Sequence, residues 1–206
     1  MTGFDATLFT STFVTLIVIL DPPGAIPIFL ALTGPLTPRQ KAAAARRASL
    51  VALGVIASFA IFGQRILDYL HISLPALQGA GGLLLLIVAL QLLTGSESEQ
   101  LADAGVNVAL VPLGTPLLAG PGAIVATMLA VQGAEDAGGL VAVAAALVAA
   151  LLVVFLTFRF ASPLARLLKD SGIVLLTRIA GLLLSAIAVQ MMADAVIAFA
   201  NGAGTA

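Results

Sequence analysis

Asp21-Pro22-Pro23-Gly24 interrupts the centre of an apolar run that extends from about Leu8 to Leu32. A second apolar run, from about Val108 to Val131, is interrupted at its centre by Gly120-Pro121-Gly122. Proline removes a backbone donor and clashes with the preceding helical turn, and glycine tolerates non-helical backbone angles. Each motif therefore predicts a helix that stops and restarts partway along its length.

The composition around these motifs is typical of a membrane protein. Of the 206 residues, 61% are hydrophobic and 9% are charged, whereas soluble domains carry about 25% charged residues. So few charges cannot cover a surface that faces water, and we expect the lipid bilayer to act as solvent. The chain has no basic stripe, so no nucleic acid partner is expected.

Cysteine is absent and His71 is the single histidine. These two counts argue against thiolate metal sites, two-histidine metal motifs and most Ser/His or Cys/His catalytic pairs. We therefore expect no metal, no cofactor, no catalytic residues and no enzymatic activity.

The apolar runs predict an all-α polytopic membrane protein with six transmembrane helices in a single domain, residues 1–206. A spanning helix needs about 20 mostly apolar residues. The predicted helices cover about 8–32, 48–64, 72–94, 108–131, 137–158 and 179–199. The connections are short and leave no room for a soluble module.

The basic residues predict the orientation of the chain. Of nine Lys and Arg residues, only Arg65 lies outside two connections, one after the first predicted helix and one after the fifth. The first connection holds Arg39, Lys41, Arg46 and Arg47, and the second holds Arg159, Arg166, Lys169 and Arg178. Positive charge favours the cytoplasmic side. We therefore expect a multi-pass protein of the bacterial cytoplasmic (inner) membrane with both termini extracytoplasmic.

The sequence also contains an internal repeat. Pro23-Gly24-Ala25-Ile26 recurs as Pro121-Gly122-Ala123-Ile124, an offset of 98 (121 − 23). The stretch from Gly82 to Gln91 recurs from Gly181 to Gln190, an offset of 99 (181 − 82). Because each copy holds three helices, an odd number, the second copy must insert upside down. We predict two inverted repeats, about 6–95 and 105–200, with helices 1 and 4 discontinuous.

The two interruptions are the candidate functional site. Asp21 has the right type for a helix N-cap with Pro22 at the first helical position, and Gly120 and Pro121 take the same parts in helix 4. Two positive helix N-termini would then face one central point beside a single carboxylate. That arrangement suits a small zwitterion such as an amino acid, and a proton or Na+ bound at Asp21 fits almost as well. Simple kinks, with Asp21 as a cap, are the alternative.

The candidate residues fall into two groups. The backbone of both interruptions would coordinate the substrate, and four further polar residues are second-line candidates. Gln91 and Gln190 could instead bond between helices, and the role of Asp194 is open. The predicted binding residues are Asp21, Pro22, Pro23, Gly24, Ala25, Gly120, Pro121, Gly122, Ala123, Thr33, Thr115, Gln91 and Gln190.

At these motifs the chain resembles the MarC family of bacterial and archaeal membrane proteins, which includes a group of small neutral amino acid transporters. The resemblance rests on Asp21 through Pro27 with Phe29 and Leu32-Thr33, on Pro112 through Ile124, and on Gly181 through Gln190. It implies six helices in inverted three-helix repeats, with discontinuous helices 1 and 4 forming a central site. It also implies ion-driven transport of glycine, alanine and similar neutral amino acids.

Three other functions fit the sequence less well than amino acid transport. An exporter of another small metabolite or drug would need a larger and more aromatic site. An intramembrane enzyme would need a second catalytic group near Asp21, and Asp194 lies near the far end of another helix. An assembly scaffold would have no use for broken helices. The transport direction, the coupling ion (H+ or Na+) and a homo-oligomeric state stay open at this point.

Overall fold

The structure, a computed structural model, describes residues 4–94 and 119–201. In these stretches the chain forms seven α-helices and no strand. They are α1 Ala6–Leu20, α2 Ala25–Thr33, α3 Pro38–Leu70, α4 Leu74–Thr94, α5 Pro121–Gln132, α6 Ala137–Arg159 and α7 Ala161–Ala200. Four helical segments are long and apolar enough to cross a membrane, namely α3, α4, α6 and Ser171–Ala200 within α7. The fold is therefore that of an all-helical, multi-pass membrane protein.

The interruption of helix 1 is confirmed. Helix α1 ends at Leu20, and Asp21 follows in the left-handed region with φ 36° and ψ 65°. This conformation is rare for residues other than glycine, although Asp and Asn adopt it more readily than most. Helix α2 then begins at Ala25. The predicted span 8–32 is thus two short helices joined by one turn.

The restart of helix 4 is also confirmed. Gly120 has an extended backbone, with φ −62° and ψ 159°, and Pro121 is the first residue of α5. The half of helix 4 that precedes Ala119 lies outside the described residues, as does the candidate Thr115. Six full spans are therefore not confirmed, because one predicted span is two short helices and another is described only from its centre.

The predicted bounds of helix 2, about 48–64, are wrong. Helix α3 has 33 residues and starts at Pro38, where Thr37 and Gln40 form a capping box. At 1.5 Å per residue it is about 50 Å long, well beyond the ~30 Å hydrocarbon core of a bilayer. Its basic first turns, which include Arg39 and Lys41, are helical rather than part of a loop. Hydropathy detects only the apolar part of such a helix.

The predicted start of helix 6 at Ile179 is also wrong. Helix α7 extends from Ala161 to Ala200 and is kinked at Lys169, where φ is 55° and ψ is 170°. Arg166 and Arg178 therefore belong to helices, and Arg178 lies within the spanning segment Ser171–Ala200. A charged residue in an otherwise apolar stretch was mistaken for the boundary of the span.

The helices pack around two buried clusters. Helices α1 and α3 each lie against α5 and α6, and α4 lies against α5 and α7. One cluster joins α1, α2, α3, α6, the start of α5 and the first part of α7, and includes Leu16, Ile26, Ala52, Ala123 and Val154. The other lies between α4, α5 and α7. The first cluster surrounds both interruptions, which we call break 1 (residues 21–24) and break 2 (residues 119–122).

Candidate functional site

Break 1 holds a carboxylate at the start of a helix. Asp21 is 7% exposed, and its Oδ1 accepts a hydrogen bond of 3.3 Å from the N–H of Gly24. Its backbone carbonyl accepts a second, of 3.0 Å, from the N–H of Ala25. Its own N–H donates to the carbonyl of Ile17. Asp21 therefore closes α1. The predicted N-cap role of Asp21, with Pro22 as the first helical residue, is wrong: α2 begins at Ala25, its N-cap is Gly24, and no side chain caps it.

Gly24 brings a second polar group to break 1. A Cβ atom at this position would overlap Oδ2 of Asp21 and would lie 2.9 Å from Oγ1 of Thr177. The hydroxyl of Thr177, in α7, therefore lies beside the same backbone segment as the carboxylate. A glycine is required here because no side chain fits between the two groups.

Break 2 is also a helix start inside the protein, but its surroundings differ from those of break 1. The carbonyl of Gly120 accepts hydrogen bonds from the N–H groups of Ala123 and Ile124, at 3.1 and 3.3 Å. No side chain caps this helix start. A Cβ at Gly122 would overlap the side chain of Leu85 in α4, whereas a Cβ at Gly120 would meet no atom of the described residues within 4 Å. Break 2 therefore carries no charge and has an apolar neighbour.

The two breaks lie at the same level of the molecule. Leu8, near the start of α1, lies beside Gly139 at the start of α6, just after α5 ends, so α1 and α5 run antiparallel. Leu16 and Ala126 line one cavity between these helices. Five residues, about 7.5 Å of helix, lead from Leu16 to Asp21 and from Ala126 to Pro121. The end of α1 and the start of α5 thus lie at about one depth, and Ala25, Ala119 and Ala123 of the two breaks and their helices belong to one buried cluster.

The remaining candidates lie in several places. Thr33 is fully buried at the end of α2, where its hydroxyl donates to the carbonyl of Phe29 at 2.6 Å. Gln91 is half-buried near the end of α4. Gln190 is exposed on α7, and its Nε2 donates to Oδ1 of Asp194 at 2.7 Å. The structure therefore brings Ala25, Ala119 and Ala123 into one cluster with the breaks, but places Gln190 on an outward face.

Sequence reasoning missed Thr177 and Thr127. Thr177 fell outside the predicted helix 6, but the offset of 99 pairs it with Gln78 (177 − 99), and a polar residue in both repeats was a usable signal. Thr127 is 1% exposed and donates to the carbonyl of Ala123 at 2.7 Å. Because threonine is common in membrane helices, nothing in the sequence distinguishes Thr127.

Comparison with known proteins identifies the family of this sequence. Residues 6–199 match the sequence model described as the MarC family integral membrane protein. UPF0056 membrane protein MJ1677 of Methanocaldococcus jannaschii is 36% identical over 93% of this chain and 97% of its own length. UPF0056 membrane protein YvbG of Bacillus subtilis is 30% identical, over 87% and 90%. UPF0056 inner membrane protein YhgN of Escherichia coli is 33% identical, over 93% and 98%. No solved structure matches.

Proposed function

This chain belongs to the MarC family of integral membrane proteins, and we propose that it is a secondary active transporter of small neutral amino acids such as glycine and alanine. It would work in a bacterial cytoplasmic membrane, the location that the name of YhgN prints for that relative. The resemblance of its motifs to the amino acid transporter group supports the substrate class. No catalytic step belongs to the proposal.

One observation carries it: a buried carboxylate lies beside the start of α2, and the starts of α2 and α5 contribute Ala25 and Ala123 to one buried cluster. A charged side chain at membrane depth is costly and is retained chiefly for function. A carboxylate attracts an ammonium group, and a helix N-terminus attracts an anion. An amino acid zwitterion carries both groups within a few ångströms.

The position of the Asp21 carboxylate suggests which end of the substrate binds at which break. In break 1 the N–H groups of Gly24, Ala25 and Ile26 already bond to acceptors within the break. The Asp21 carboxylate also offsets the positive end of α2. In break 2 the N–H groups of Ala123 and Ile124 likewise bond to the Gly120 carbonyl, but residues 119–122 include no carboxylate that would offset the positive end of α5. The proposal therefore places the substrate ammonium, or the coupling H+ or Na+, at Asp21 and the substrate carboxylate at Gly120 to Ala123.

The residues around the breaks favour a small ligand. Ala25, Ala119 and Ala123 are buried, and one turn beyond Ala25 the rings of Phe29 and Phe158 stack with centroids 4.5 Å apart. These small methyl groups and a closed aromatic pair offer no broad aromatic surface. This supports glycine or alanine over a drug, whose sites are large and rich in aromatic residues.

Alternating access requires two halves that rock against each other, and reciprocal contacts support an inverted repeat. A Cβ at Gly82 would lie 2.8 Å from the carbonyl oxygen of Ala188, and a Cβ at Gly181 would lie 3.2 Å from that of Ala89. Gly82 and Gly181 are repeat-equivalent, and so are Ala89 and Ala188 (both 99 apart). A two-fold axis between α4 and α7 would exchange these contacts, as inverted repeats require.

A substrate panel in proteoliposomes tests the proposal. Radiolabelled glycine, alanine and serine are offered with and without imposed pH and Na+ gradients, beside a bulky cationic drug. We expect uptake of at least one small amino acid, accelerated by one of the gradients, and no movement of the drug. If none of the three amino acids binds or moves in vesicles that contain correctly folded protein, the proposal is wrong. Drug movement alone would favour the exporter.

A further inference from the structure

A cavity of about 170 Å³ lies between α1 and α5. On the α1 side it is lined by Leu8, Ser11, Thr12, Thr15 and Leu16, and on the α5 side by Ala126 and Ala130. Positions 8, 11, 12, 15 and 16 form one face of a helix, and so do positions 126 and 130. The cavity exists because α5 presents only methyl groups to a face of α1 that carries three hydroxyl groups.

The cavity lies between the breaks and one end of the molecule. Thr15 is six residues, about 9 Å, before Asp21, and Ser11 is ten residues, about 15 Å, before it. On α5, Ala126 and Ala130 lie about 7.5 and 13.5 Å beyond Pro121 on the same scale. Because α1 and α5 run antiparallel, these residues of both helices lie on the same side of the breaks. On that side are the start of α1 and the turn between α5 and α6. The orientation predicted from the basic residues makes this the extracytoplasmic side.

We propose that this cavity is a water-filled vestibule through which small polar solutes reach the breaks from the extracytoplasmic side. A cavity holds water when it is roomy and offers polar partners, and 170 Å³ with three hydroxyl groups meets both conditions. Hydroxyl groups both donate and accept, so they can hydrate an ammonium and a carboxylate without binding either tightly. This inference rests on the proposed function for its purpose, but the accessibility that it asserts does not depend on transport.

The chain contains no cysteine, so single cysteines can be introduced without further changes. Ser11→Cys, Thr12→Cys and Thr15→Cys report on the vestibule. Val14→Cys is the matched control, because Val14 lies on the same helix and is 52% exposed on an outward face that would meet lipid. Glu135→Cys, in the exposed turn after α5, is the positive control for the same end of the protein. The probe is a membrane-impermeant thiol reagent, applied in turn to each side of proteoliposomes.

We expect the three vestibule cysteines to react from the side that labels Glu135→Cys. Because the reactive species is the thiolate, which needs water, their rates should lie within about 10-fold of that control, and Val14→Cys should react about 100-fold more slowly. Ala130→Phe fills the cavity at a level farther from the breaks than Thr15. It should slow the labelling of Thr15→Cys about 10-fold and leave the labelling of Glu135→Cys unchanged.

Vestibule cysteines that react no faster than Val14→Cys, in protein that labels normally at Glu135→Cys, would overturn the inference. So would reaction only from the opposite side. If these cysteines stay dry while glycine is still transported, the vestibule is wrong and the proposed function survives. If the vestibule cysteines react while no amino acid is transported, the vestibule survives and the proposed function is wrong.

Discussion

Break 1 and break 2 both contain Pro-Gly, and each leads into a helix that starts inside the protein. The side chains around the two breaks differ. Gly24 and Gly122, 98 residues apart in the sequence, each lie against a helix from the other half of the chain. Gly24 meets the hydroxyl of Thr177 in α7, and Gly122 meets the apolar side chain of Leu85 in α4. Break 1 has a carboxylate in the left-handed conformation, and break 2 has Gly120 in an extended one.

This comparison separates the feature that the two breaks share from the feature that belongs to break 1 alone. The backbone device, a helix that starts inside the protein, is common to both breaks and supplies two dipole ends. The charge is present at one break only, and a carboxylate at both would repel the carboxylate of an amino acid. Under the proposed function, this asymmetry would fix the orientation in which an amino acid zwitterion binds.

The largest expected effect follows the removal of the charge from break 1. Asp21→Asn keeps the shape and the hydrogen bond to Gly24 but loses the anion that would bind the ammonium or the coupling cation. We expect kcat/KM for glycine or alanine in proteoliposomes to fall about 100-fold, since a hydrogen bond to a charged group contributes roughly 1.5–3 kcal/mol and each 1.4 kcal/mol is a factor of ten.

Asp194→Asn is the matched control, because Asp194 is exposed on α7 and bonds to Gln190 of the same helix. We expect this variant to transport normally. If Asp21→Asn leaves both the substrate affinity and the dependence on pH and Na+ gradients unchanged, the assignment of charge chemistry to break 1 is wrong.

The next effect separates the glycines of the two breaks. Gly24→Ala would force its Cβ into Oδ2 of Asp21, and overpacking of this kind costs about 1–3 kcal/mol. Gly120→Ala has open space, and its backbone angles suit any residue. The unfolding temperature in detergent should fall for Gly24→Ala and stay near that of the wild type for Gly120→Ala. Equal behaviour of the two variants would mean that the carboxylate does not lie against Gly24.

The sequence predicted the breaks because proline, glycine and aspartate act on the local backbone. Pro22, Pro23 and Pro121 limit the angles of their own residues and of those before them, so the interruptions of helices 1 and 4 could be located to within a turn. The bounds of α3 and α7 could not be located in this way, since a helix that leaves the bilayer no longer needs apolar residues. Thr177 was missed for a related reason: Arg178 beside it imitates the end of a span.

A third effect tests the reciprocal contact that relates the two halves. Gly82→Ala and Gly181→Ala each push a methyl group toward a backbone carbonyl of the facing helix, and we expect each to lower the free energy of unfolding by about 1–3 kcal/mol. Gly54→Ala, in α3, meets no atom within 4 Å and should stabilise its helix slightly, by up to about 1 kcal/mol. Reversible unfolding in mixed micelles measures all three. A marked loss for Gly82→Ala with none for Gly181→Ala would argue against the two-fold relation.

The smallest effect concerns the far ends of the two restarted helices, which also differ. Thr33, the last residue of α2, bonds within its own helix, whereas Gln132, the last residue of α5, donates from Nε2 to Oε1 of Gln64 in α3 at 2.6 Å. The bond is exposed, and a hydrogen bond between neutral groups contributes about 0.5–1.5 kcal/mol. Gln132→Ala should therefore lower the free energy of unfolding by less than about 1 kcal/mol.

Gln64→Ala should cost slightly more than Gln132→Ala, because Gln64 also donates to Oδ1 of Asp68 at 3.1 Å. The double variant should then be less destabilised than the sum of the single variants, with a coupling energy of about 0.5 kcal/mol. Such coupling would mean that a side-chain hydrogen bond links the end of α5 to α3. At the end of α2, the described side-chain hydrogen bond stays within the helix. Additive effects of the two substitutions would show that the link between α5 and α3 does not form in the membrane, and the asymmetry of the halves would then be confined to the breaks.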